Sequence, residues 1–245
     1  MNEESKPAIF LFRKCFCLFN HSALCMKQIL RSILLLLIGI CIYSTCFAHV
    51  IVGELERMTT TETALIYFKL GYRHILPLGL DHILFVLSLF LLSPKLKPVI
   101  VQSTAFTVAH TITLGMAMYH FIDLPAKIVE PLISLSIMLV AAENIFSPGL
   151  KKARIGIVFL FGLVHGLGFA SSLSQIGLPE NAYLGSLVMF NIGVELGQVT
   201  VIVLAFLVVG KWFGQKLFYH RLIVVPFSIL IILVAGYWTI ERIFY

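Results

Sequence analysis

The side chains able to do chemistry in this chain stand inside its apolar runs. Asp81 and His82 are adjacent, and His110, His165 and Glu195 each interrupt a different hydrophobic stretch. A charged group at mid-helix in a bilayer costs about 2.5–3.5 kcal/mol on insertion scales, so each needs a partner or a function. Counted along their runs, Asp81, His82, His110, His165 and Glu195 fall at similar depth although they lie far apart in sequence. Three imidazoles and two carboxylates make a nitrogen and oxygen ligand set, and the two carboxylates would neutralise a divalent ion. No cysteine follows residue 46. Soft Cu(I) is therefore disfavoured, while nickel, cobalt, zinc and Fe(II) suit these donors.

Helical phase groups the neighbours. Asn191, Glu195 and Gln198 follow i, i+4, i+7 on one face, and Ser103, Thr107 and His110 repeat that spacing. Thr107, Asn191 and Gln198 are placed to orient the ligands from behind by hydrogen bonds. Glu130, Ser134 and Asn144 make another stripe, with Glu143 about 140° away on the helix. Gly162, Gly166 and Gly168 surround His165 and permit close helix approach. Pro77 and Gly79, just before Asp81, predict a broken or kinked start to that helix, whose freed carbonyls could line a cavity. His49, His74 and Glu143 complete the potential ligands. Each residue also has a plainer reading. A lone buried histidine often only packs, Asp81 beside His82 can be a structural ion pair, and Asn191 and Gln198 can simply hold helices together. His74, His120 and His220 lie at span ends, where an interfacial role competes. The joint convergence in depth is what favours a site.

Membrane-spanning helices must position these groups. Of 245 residues, 59% are hydrophobic and 12% charged, whereas a soluble domain is nearer a quarter charged. A crossing takes roughly 20 residues for about 30 Å of hydrocarbon. The expected fold is all-α: a polytopic membrane helix bundle of about six transmembrane helices after a cleavable signal peptide. The spans fall at 71–92, 99–120, 128–146, 155–173, 184–210 and 222–240. Residues 1–48 read as an N-terminal extension and signal peptide, 49–70 as a short periplasmic or interfacial segment, and 71–245 as the transmembrane domain. Within this scheme 64–72 is expected along the interface.

The signal rests on Met26-Lys27-Gln28-Ile29-Leu30-Arg31, the apolar run 33–42, and the small-x-small triplet Cys46-Phe47-Ala48. Translation from Met26 is the expected start; a retained seventh helix is the alternative. Cleavage after Ala48 would leave His49 first, where an α-amine and an imidazole chelate well, and a mature chain without cysteine. Cys15 and Cys17 have no partner at zinc-finger spacing.

The formal charge of +6 sits in short loops, which excludes a nucleic-acid partner and leaves the lipid bilayer and a metal ion. Lys95 and Lys97, then Lys151, Lys152 and Arg154, then Lys211, Lys216 and Arg221 fall in loops without an acid; the opposite loops hold Asp123 with Lys127, and Glu180. The basic loops belong in the cytoplasm. Both mature termini then face the periplasm of a bacterial inner membrane.

Four ordered motifs, Gly79-Leu80-Asp81-His82-Ile83-Leu84-Phe85, Thr104 to Thr111 around His110, His165-Gly166-Leu167-Gly168-Phe169-Ala170 and Phe190 to Gln198 around Glu195, resemble the HupE/UreJ family. The resemblance runs from about Gly71 to the C-terminus. It implies a signal-bearing membrane protein, a nickel or cobalt permease linked to hydrogenase and urease maturation. The better-known branch carries His-Pro-x-x-Gly-x-Asp-His; here His74 stands one residue further from Asp81, and the proline is displaced to Pro77. Asp81 and His82 match that motif directly. The function expected is transport of a divalent transition metal through Asp81, His82, His110, His165 and Glu195. The alternatives are an intramembrane zinc hydrolase, with a metal held by three histidines and a carboxylate as base, and a proton-relay or assembly subunit.

Overall fold

The computed structural model describes residues 59–146, 153–176 and 183–244, all within the compact unit Glu54–Tyr245. The expected signal peptide, Met26, His49, Lys151, Lys152 and Glu180 lie outside the described residues.

Every regular element among the described residues is helical. The helices are α1 (Thr60–Ile75), α2 (Leu80–Leu92), α3 (Leu96–Met118), α4 (Ala126–Phe146), α5 (Ala153–Ile176), α6 (Tyr183–Phe213) and α7 (His220–Phe244). The five from α3 to α7 are long and apolar enough to cross a membrane. α1 and α2 reach that length only together, and they are bent by 66° at the break between them.

The first expected span, 71–92, is therefore not one helix. A capping box starts α1 early: the Thr59 hydroxyl receives the Glu62 N–H at 3.3 Å, and the Glu62 carboxylate accepts the Thr59 N–H at 2.9 Å. The residues expected along the interface form the middle of α1, and its Thr63, Tyr67, Gly71 and Ile75 face is buried. α1 stops because Pro77 has no N–H to continue the ladder and the residue before a proline is driven from helical torsions; Leu76 is extended at φ −118°, ψ 118°. The chain then folds so tightly that a Cβ at Gly79 would lie 2.1 Å from the His74 carbonyl oxygen. Only glycine fits there, and α2 begins at the next residue.

α1 packs on α6, α3 on α5, and α4 on α7, while α2 lies among α3, α4, α6 and α7. That central place explains why His82, Phe85, Val86, Ser88, Leu89, Phe90 and Leu91 are all buried, which is more than one helix face. Small residues set the close approaches. A Cβ on Gly162 or Gly166 of α5 would strike the Phe106 or His110 carbonyl of α3, and one on Gly168 would meet Ile133 of α4.

A second polar network lies about 9 Å further along α2 than His82, by helical rise over six residues. Arg154, expected as a loop charge, is instead buried in the first turn of α5, 3.3 Å from the Glu143 carboxylate. It donates to Asn144 Oδ1 at 3.1 Å, and Asn144 Nδ2 donates to the Ser88 carbonyl at 2.8 Å. A guanidinium enters this interior because an opposite charge and fixed acceptors await it.

Candidate metal centre

Three histidines meet at the break. His74 ends α1, His82 begins α2, and His110 lies within α3. One ring nitrogen of each falls within 4.8 Å of the others, the group of metal-ligand type found among the described residues. The His74 and His82 rings are 4.7 Å apart, and the His82 and His110 rings 5.9 Å. In all three, Nε2 is buried without a hydrogen-bond partner. Buried polar atoms are rarely left so, because each forfeits its hydration. A cation at the centre would satisfy all three lone pairs.

His110 is aimed for that role from behind. Asn191 Nδ2 donates to the Leu187 carbonyl at 2.8 Å, which turns Oδ1 toward the ring to accept from His110 Nδ1–H at 3.2 Å. The proton on Nδ1 leaves Nε2 as the basic nitrogen, the arrangement a metal-binding histidine needs. Aromatic rings surround the group. Phe169 lies 3.9 Å from the His74 ring, and Phe106 contacts His82, His110 and His165.

His165 stands edge-on to His82 at 5.2 Å between rings. Its Nε2 lies 3.0 Å from Ser136 Oγ, whose own proton goes to the Ile133 carbonyl at 2.6 Å. Ser136 therefore accepts, Nε2 carries the proton, and the basic Nδ1 is the buried atom left without a partner. His165 thus adjoins the trio without joining it.

The two carboxylates expected with the histidines are engaged elsewhere. Asp81 accepts from Arg242 at 2.9 and 3.2 Å. Glu195 accepts from the Thr104 hydroxyl at 2.6 Å and from Thr107. Gln198 Oε1 accepts from Ser103, and Thr107 Oγ1 lies 3.3 Å away. The polar stripes of α3 and α6 do face each other, as their phase predicts, but they pair mainly with one another. Glu143 belongs to the Arg154 network, one level along α2 from the histidines.

A cavity of about 690 Å³ leads to the site, lined from five helices and the break. His74, His82 and His165 line it with Asp81, and Glu130, Trp238 and Arg242 do so from α4 and α7. The sequence marks His74 only as a potential ligand and gives no role to Arg242 or Trp238. Two features of the sequence point to His74: the helix break predicted at Pro77 and Gly79, which removes it from a span end, and its near match to the histidine of the His-Pro-x-x-Gly-x-Asp-His motif. Nothing in a single sequence marks Arg242, because an arginine at the end of a span usually reports only the interface.

No curated protein and no solved structure matches the chain. A family profile described as HupE / UreJ protein matches residues 50–242. The match covers the described helices almost entirely, including the break and all four histidines around it, and the chain belongs to the HupE/UreJ family.

Proposed function

We propose that this protein is a permease for a divalent transition metal, nickel or cobalt, with His74, His82 and His110 as its transient site. The family is linked to nickel and cobalt accessory or transport roles. The observation that carries the reading is the meeting of three buried, unpartnered imidazole nitrogens beside a cavity that His74 and His82 line. Imidazole binds these borderline ions well. Three neutral ligands leave the ion's charge uncompensated, which favours a site that releases as well as binds. Asp81 and Glu195 supply further donors along the path if they exchange their present partners, and His165 does so through its unpartnered Nδ1. Thr107, Asn191 and Gln198 hold α3, which bears His110, in register with α6.

The positive-inside rule orients the molecule. Lys95, Lys97, Lys211 and Lys216 face the cytoplasm of a bacterial inner membrane, so Asp81, Glu130 and Arg242 lie toward the periplasm, as do both mature termini. The cavity then receives ions from outside, and the Arg154 network lies further along α2, toward the cytoplasm.

Uptake of radioactive nickel and cobalt, with elemental analysis of gently purified protein, tests the proposal. Wild-type cells should accumulate metal, and His82→Ala or His110→Ala should stop uptake while the protein still inserts. Near-stoichiometric zinc that resists brief chelation, without ion flux, would replace the permease by a zinc hydrolase.

A further inference from the structure

We propose that Arg242 is a latch on the mouth of the cavity: a tethered cation that occupies Asp81 until a divalent ion displaces it. The inference rests on the histidine site proposed above.

Arg242 sits in the last turn of α7 and grips Asp81 at both oxygens, at 2.9 and 3.2 Å. Its other terminal nitrogen donates to the Glu130 carbonyl at 3.2 Å, and its guanidinium lies 5.6 Å from the Trp238 ring. Asp81, Glu130, Trp238 and Arg242 all line the cavity that reaches His74 and His82. An ion approaching the histidines therefore passes a carboxylate that is already neutralised, one residue from His82.

The contact is built to exchange. The two side chains are 22% and 25% exposed, so water can replace either partner. Pairs of that kind shift an equilibrium by no more than about fivefold. A guanidinium released from Asp81 keeps its carbonyl acceptor and its aromatic face, so it has a resting place without the carboxylate. A divalent ion competes for Asp81 with twice the charge, whereas a monovalent ion has no such advantage over arginine. The latch thus favours divalent ions and weakens their hold enough for onward passage. Arg73, which lines the same cavity, adds positive charge.

The test uses the full chain in lipid nanodiscs with zinc as the probe, because its filled d shell does not quench fluorescence. The chain has two tryptophans, so Trp212→Phe leaves Trp238 as reporter. Zinc should change Trp238 emission saturably as the guanidinium moves. Affinity is read separately, by competition with a zinc-binding dye. Arg242→Gln should tighten zinc binding about fivefold, the factor removed with the competing pair. Arg242→Lys keeps the charge on Asp81 but loses the second nitrogen that holds the Glu130 carbonyl, and should tighten binding by a smaller factor. The gain should vanish when Arg242→Gln is made on an Asp81→Asn background, because the competition needs that carboxylate. If His82→Ala abolishes binding yet neither Arg242 variant tightens it, the latch is wrong and the histidine site stands. If zinc binding is insensitive to both His82→Ala and His110→Ala, the site falls and takes the latch with it.

Discussion

Gly71→Ala tests whether close packing of α1 on α6 is what delivers His74 to the site. An alanine Cβ at this position would stand 1.9 Å from the Phe190 carbonyl oxygen and 2.7 Å from its carbon. Ordinary carbon–oxygen contact is near 3.4 Å, so α1 must withdraw by roughly 1.5 Å. The obstacle is backbone, and neither helix can yield by turning a side chain. His74 lies one turn beyond Gly71 and moves with it. Metal bonds to imidazole are about 2.0–2.1 Å long and tolerate errors of about 0.2 Å. The displaced ring should therefore be lost as a ligand. Zinc affinity, read by dye competition in nanodiscs, should fall by at least about tenfold and match that of His74→Ala. Overpacking should also cost about 1–3 kcal/mol, visible as a lower apparent Tm. Gly156→Ala and Gly185→Ala serve as controls, since a Cβ at either meets nothing within 4 Å. Both should be neutral or slightly stabilising, because alanine is the better helix former. Wild-type affinity and Tm in Gly71→Ala, or equal damage from the controls, would refute the reasoning.

Asn191→Ala should weaken zinc binding by about 10–100-fold without removing a ligand, because His110 loses the acceptor that sets its tautomer; dye competition measures it. Glu143→Ala leaves the buried Arg154 charge uncompensated. It should cost about 3 kcal/mol, the low end for a broken buried pair because Glu143 is 28% exposed, and lower the apparent Tm. Reporter fusions after Lys97 and Lys216 should read cytoplasmic, and one after Asp123 should read external.

The helical class, the number of apolar runs and the phase of the polar stripes were legible from the chain alone, because each depends on local composition and on the 3.6-residue period. The α3 and α6 stripes meet as that period requires, His110 with Asn191 and Ser103 with Gln198. The glycines around His165 mark close approaches, though Gly168 serves α4 rather than α3. Which polar groups share a centre was a tertiary matter. Depth counted along a straight span puts His74 at an end. The break after Ile75 brings it back beside His82, with the rings 4.7 Å apart. Asp81 and Glu195 have the right depth and chemistry for ligands, yet Arg242 holds the first across 161 residues and Thr107 the second across 88. Burial likewise turned Arg154 from a loop charge into the partner of Glu143. Periodicity assigns a side chain to a face, but its partner is decided by competition among every donor the fold brings within reach.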